Sequence, residues 1–247
     1  MSSEDFIAML EADLGWRKKE VANLLLMETE QNQLLIIKST VLLLYSHWEG
    51  FVKNATKAYL EHISDMRVDI GALTDNFKAI SLKGLIGQVD KSHESLTMVN
   101  ELNLINKLQN NLNRKFSLPR GFSRHERDKT IVNTKDNLSL KVFKSILNIV
   151  GIDYAGSLDT KSVFIDEKLL ENRNKVAHGN RIEQIDAEFN LDLIELKKLK
   201  DLVFFLMSAL VDDLIYYAEQ ELYFSENEDK MKSYLQQRAK EIEGYLP

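Results

Sequence analysis

The chain has no cysteine, only two prolines (Pro119 and Pro247) and only ten glycines in 247 residues. Without cysteine there is no disulfide framework and no thiolate metal site, which fits a reducing compartment. So little proline and glycine leaves few tight turns, and this favours long helices over many short strands. A long apolar run is also missing. The greasiest stretch, LLIIKSTVLLLY at 34–45, is broken by Lys38 and is too short to cross a bilayer. The opening MSSEDFIAML is acidic and lacks an apolar core with a cleavage site, so a cytoplasmic protein without membrane contact is expected. Positive charge is not in excess either: 32 Lys and Arg against 38 Asp and Glu give a net charge of −6. That argues against coating nucleic acid through general charge, but it permits a local basic surface. No glycine-rich phosphate loop, paired metal-ligand motif or nucleophile elbow is present.

What is present is an apolar fraction of 44%, ample for a core, arranged with helical spacing. Phe6, Leu10, Leu14 and Val21 mark a helix over about 3–27. Leu44, Trp48, Val52, Ala55 and Tyr59 mark a longer one over about 31–63, apolar nearly all round in its first half and so expected at the centre of a bundle. Residues 67–76 break the pattern, with Asp75 or Asn76 as a cap for the next helix. Shorter helical patterns cover 77–88 and 95–112. Helical spacing returns over about 139–149, 160–178, 186–222 and 226–243. The simplest partition is one all-α domain over 1–247, an up-and-down bundle with a peripheral last helix at 226–247.

Residues 113–138 have no period and read as a long loop. Arg114, Lys115, Arg120, Arg124, Arg127 and Lys129 lie here against Glu126 and Asp128, interleaved with Phe116 and Phe122. This mixture suits phosphate contacts with phenylalanine stacking platforms, or equally a loop whose phenylalanines anchor it to the core. His62 and His93 have no partner at a recognisable spacing and read as surface residues.

The stretch LLENRNKVAHGNR, 169–181, raises a sharper question. At about 100° per residue, Ile165, Leu169, Leu170, Val176 and Ala177 form an apolar stripe with Arg173 near its middle. A guanidinium is costly there unless a carboxylate, a cavity or a wet partner surface meets it. Asn174 and His178 share a neighbouring face, and Gly179 is a natural stop that places His178 in the last turn, where the helix dipole favours a cation. Arg173 and His178 are separated by about 7.5 Å along the axis, close enough to converge on one phosphate. Histidine, as a residue type, moves protons near neutral pH, and a forked cation stabilises charge on phosphoryl oxygens. No metal or cofactor is needed for that chemistry. The spacing alone arises easily, as Arg120 and His125 in the loop show.

The sequence around the pair is more specific. IDEKLLENRNKVAHGN (165–180) resembles the signature helix of the HEPN superfamily, the higher eukaryote and prokaryote nucleotide-binding domains: Arg173, the polar Asn174, a short spacer, then His178. LLLYSHWEGFVKNATKAYL (42–60) and NLSLKVFKSILNIVGID (137–153) are similar to segments of stand-alone bacterial members, in the same order. The resemblance implies an all-α bundle that dimerises, with the signature helices of two copies at one cleft. It also implies metal-independent endoribonuclease activity in toxin, phage-defence or RNA-processing roles, with a possible antitoxin or regulatory partner. Carried over by position, Arg173 and His178 are the catalytic pair and Asn174 supports them. Apart from the resemblance, Glu49 on the long second helix is a candidate cleft carboxylate or partner of Arg173, or equally a solvated or structural carboxylate. Two other readings stand beside the ribonuclease one. One is a non-catalytic helical module that binds nucleotide, RNA or a partner protein. The other is an antitoxin-like or scaffold protein in which Arg173 is permanently paired with a carboxylate such as Glu49.

Overall fold

The computed structural model describes residues 2–91, 97–125, 129–178 and 191–245, and among these it contains α-helices and no strand. Helix α1 (Ser3–Leu25) is capped by Ser2, whose side chain accepts from the Asp5 amide. Helix α2 (Gln33–Asp65), 33 residues long, is the central element, burying Val41, Leu44, Trp48, Phe51, Val52, Tyr59, Leu60 and Ile63 on all sides. Against it pack α1 and α7 (Leu193–Glu219), while α3 (Asp75–Lys91), α4 (Val99–Asn110), α5 (Leu140–Ile149), α6 (Asn172–Ala177) and α8 (Glu228–Gly244) complete the set. Helix α1 runs antiparallel to α2: the Phe6 ring meets Tyr59 and His62, and Arg17 meets His47 thirty residues further along the chain.

Local chemistry sets the helix ends. Asp192 and Glu195 form a capping box that starts α7, in which each side chain satisfies the other's backbone amide. Ser139 caps α5, and α5 stops where Gly151 enters the left-handed region at φ 82°. The Ile152 amide then closes on the Leu147 carbonyl at 3.0 Å. Helix α8 has one buried residue, Ile242, yet is anchored at its middle and at its C-terminal end. Arg238 and Tyr234 reach the fully buried Asp213 of α7, and the Lys161 ammonium bonds the carbonyl of Tyr245.

The 113–138 segment is irregular, as its lack of period predicts, but it is strapped antiparallel along α2 and the turn after it. The Phe116 amide donates to the Val68 carbonyl and the Leu118 amide to the Ser64 hydroxyl, both at 2.8 Å. Ser123 donates to Glu61, and the buried Lys57 ammonium donates to the His125 carbonyl. Thr134 then donates to Glu49 at 2.6 Å, and the Leu138 amide to the Tyr45 hydroxyl at 3.1 Å. The strap is held by Phe116, Phe122, Val132 and Leu138, all buried.

Several sequence expectations are corrected. Phe116 and Phe122 are core residues, and the face of Phe122 is occupied by the Lys57 ammonium 5.1 Å above it, so Phe122 offers no base a stacking surface. His62 is buried and stacked on Phe6 at 4.7 Å, because it points into the α1–α2 seam. The segment before Arg173 is wound as a π-helix, Val163–Glu171, running directly into α6. Its i→i+5 bonding turns each residue through less than the α-helical angle, so a wheel drawn at about 100° drifts out of phase. Ile165, Leu169 and Leu170 are buried as expected, but Asn172 rather than Arg173 is the fully buried polar residue, and Ala177 is exposed. Gly179, Arg127, His93 and residues 186–190 of the expected penultimate helix lie outside the described residues.

Candidate active site at the Arg173 helix

Helix α6 lies against α2, which brings Arg173 over Tyr45. The guanidinium carbon sits 4.2 Å from the centre of the Tyr45 ring, a stacking distance at which cation and ring quadrupole attract. One Arg173 amine donates to the Asn174 side-chain oxygen at 2.7 Å. Tyr45 is itself pinned: it is buried, and its hydroxyl accepts from the Leu138 amide. Burial, with the negative charge of nearby Glu49, pushes the phenol up to about 12, while the Leu138 hydrogen bond and the Arg173 charge pull the other way. The ring under Arg173 is therefore neutral and fixed.

Arg173 is half-buried, and among the described residues it makes no ion pair with a carboxylate. Glu49, the candidate partner, instead accepts from Thr134 and acts on Tyr45. Among the described residues, four of the five guanidinium N–H groups therefore stay uncommitted, because stacking uses the face of the group and leaves its edge free. His178 follows at the end of α6. Its amide donates to the Asn174 carbonyl at 3.0 Å and its side chain is exposed. The backbone at His178 (φ −80°, ψ 3°) has already left the helix. Asn174 thus joins the two: its side chain steadies Arg173 and its carbonyl fixes the His178 backbone.

Among the described cations of the strap, Arg114, Lys115, Arg120 and Arg124 lie away from this site. Arg120 and Arg124 line a cleft of about 690 Å³ with Arg67, Asp5, Glu61 and Asp65. That cleft is sixteen residues along α2 from Tyr45, about 24 Å at 1.5 Å per residue. Lys115 pairs with Asp69 at 2.9 Å and Lys129 with Asp136, so two of the six cations are already neutralised. Arg114 is exposed near α3 and α4. Tyr45 and Thr134 were not legible as site residues. The available signal was that Tyr45 and Glu49 are four apart on one helical face, while Arg173 needed a partner.

No described helix is long and apolar enough to cross a membrane. No curated protein and no solved structure gives a significant match. The sequence profile of the MAE_28990-like HEPN family matches residues 6–223, a span that includes the segments 42–60 and 137–153 and the Arg173–His178 helix. A nucleotide- or RNA-related function goes with that domain, and the chain belongs to the MAE_28990-like HEPN family.

Proposed function

We propose that the protein is a metal-independent endoribonuclease whose working site forms where the Arg173 helices of two copies meet, acting as a toxin or phage-defence effector. The observation that carries this reading is Arg173 itself: a guanidinium stacked on a neutral ring, without an anionic partner among the described residues, one helical turn from an exposed histidine. A substrate phosphate supplies the missing anion, and bidentate contact with the free edge of Arg173 orients it.

In this scheme a base, His178 of one copy, takes the proton from the ribose 2′-hydroxyl. The 2′-oxygen forms a bond to phosphorus while the bond from phosphorus to the 5′-oxygen breaks. A proton delivered to the departing 5′-oxygen, from the second copy's imidazolium or from the same imidazole, which now carries the 2′-hydroxyl proton, completes the step. The products are a 2′,3′-cyclic phosphate and a 5′-hydroxyl. Arg173 stabilises the charge that builds on the non-bridging oxygens, and Asn174 keeps its fork in place.

The test is cleavage of a structured and an unstructured RNA in EDTA by the wild type, Arg173→Ala and His178→Ala, with folding and assembly checked for each. The expected loss is about 100-fold or more for either variant, with cyclic phosphate ends on the wild-type products. Equal cleavage by all three proteins would sink the assignment. Tight RNA binding without cleavage, lost in Arg173→Ala, would instead favour a binding module that uses the same surface.

A further inference from the structure

Helix α4 buries none of its residues. Met98, Leu102, Ile105, Leu108 and Leu112 are each between 46 and 66% exposed. At 3.6 residues per turn Leu102, Ile105 and Leu108 fall within an arc of about 120°, and Met98 and Leu112, just beyond the two ends of α4, extend the apolar stripe. Ile86 of α3, which packs against α4, is also exposed, as is Val99. At on the order of 100 Å² for each half-exposed side chain, the patch approaches the ~800 Å² that one partner contributes to a stable interface, and exceeds what a monomer ordinarily leaves open.

The order of residues along the stripe says what covers it. Ile105 is at the centre, with Leu102 and Leu108 three residues to either side and Met98 and Leu112 seven to either side. The stripe reads the same from both ends. Two copies of α4 laid antiparallel about a two-fold axis through Ile105 would set Met98 against Leu112, Leu102 against Leu108, and Ile105 against itself. Glu101 and Gln109, the polar residues within the arc, are also four positions either side of Ile105, with Glu101 half-buried and one of its carboxylate oxygens enclosed within its own chain. The remaining side of α4 carries Asn100, Asn103, Asn106, Asn110 and the single cation Lys107, a polar rim. Antiparallel pairing also aligns the two helix dipoles favourably. A different partner has no reason to require this mirror order, whereas an isologous contact does.

We propose that α4 is a self-association surface on which a second copy of this chain docks antiparallel, Ile105 on Ile105, with α3 of each copy flanking the pair. This interface is separate from the Arg173 helix. The Leu112 carbonyl accepts from the Gly71 amide, beyond the end of α2, and Tyr45 lies twenty residues before that end, about 30 Å away. Pairing through α4 therefore leaves the two Arg173 sites apart. If the Arg173 helices also pair, two different two-fold contacts build an assembly larger than a dimer. The α4 contact does not depend on the cleavage reading.

The absence of native cysteine makes the test clean. In the full-length protein, Ile105→Cys should be joined to itself by a short bismaleimide at micromolar concentration. Met98→Cys and Leu112→Cys should cross-link when mixed, and much less when each is alone. Ile105→Glu places like charges on the axis. It should weaken association measured by sedimentation by about 100-fold or more while leaving thermal unfolding of the isolated chain unchanged, because Ile105 is exposed. Absence of the Ile105→Cys cross-link, or sedimentation of Ile105→Glu identical to wild type, overturns the proposal. Preferential linking of Met98→Cys to itself overturns the antiparallel register.

Discussion

Arg173 keeps a charged group at the edge of a packed helix by resting its flat face on Tyr45 and one donor on Asn174. On the proposed reading, Tyr45 is a positioning residue that acts through the arginine. Tyr45→Phe keeps the ring and should retain cleavage within a few-fold, losing about 1 kcal/mol of stability with the Leu138 hydrogen bond. Tyr45→Leu removes the platform and should lower kcat by about 10- to 100-fold with little change in KM. Equal kinetics for the two variants would show that the ring does not place the guanidinium.

A second arginine–histidine contact lies on the opposite face of α2. Arg17 is buried between the Trp16 and Phe51 rings, pairs with Asp13 at 3.0 Å, and points an amine at Nδ1 of His47 at 3.4 Å. Gly50 makes room for it: a Cβ there would sit 3.1 Å from the guanidinium. With Arg17 donating to Nδ1, the His47 proton is assigned to Nε2, facing Glu20 at 2.9 Å. Burial first, then the Arg17 charge, hold the imidazole below its usual 6.5, against the pull of Glu20 and Asp13. The folded state thus binds this proton less readily than the unfolded chain. Stability from this site is complete above about 6.5 and is lost as pH falls towards the folded value, by at most about 1.4 kcal/mol per pH unit. Urea unfolding at pH 7.5 and 5.5 should show that decline in the wild type and a flatter response in His47→Gln. An identical slope in both would remove His47 as the cause.

Among the elements, α8 shows how a helix with little apolar surface is retained. Its Arg238 donates to the buried Asp213 at 2.7 Å, and Tyr154 and Tyr234 donate to the same carboxylate. Burial pushes the Asp213 carboxyl up while Arg238 and these hydrogen bonds draw it down. Arg238→Ala would strand the carboxylate. The expected cost is about 3 kcal/mol, with faster amide exchange across α8 than across α2. Adding Asp213→Asn should recover part of it by removing the stranded charge. Unchanged exchange in α8 would mean that the helix is held by other contacts. The π-wound segment before α6 is the element that sequence periodicity misreads. The residues are helical in either winding, but which of Asn172 and Arg173 faces the core depends on the number of residues per turn.

For the molecule as a whole, the surfaces that a single chain leaves open are as informative as its core. The Arg173 helix presents a cation without a counter-charge among the described residues, and α4 presents an apolar stripe without a cover. These are two separate invitations to a second copy or a ligand, one over the first half of α2 and one reached beyond its C-terminal end. The strap runs between the two and delivers Thr134 and Leu138 to Glu49 and Tyr45. Mass measurements over a range of concentrations, read alongside the α4 and Arg173 variants, would separate the two contacts.

The fold class, the central place of α2, the limits of most helices and the family were all legible in the amino-acid order alone. Those rest on local periodicity, capping residues and a short contiguous motif, all of which are one-dimensional signals. That Arg173, Asn174 and His178 lie close together was legible for the same reason, since they fall within six consecutive residues. Packing in three dimensions was needed to turn Phe116, Phe122 and His62 inward and to set Tyr45 beneath Arg173. It also gave Glu49 to Thr134 and set Arg120 and Arg124 in a cleft away from the Arg173 helix. Each of these joins residues far apart in the chain, and such contacts are set by how the helices and the strap pack rather than by spacing along the sequence.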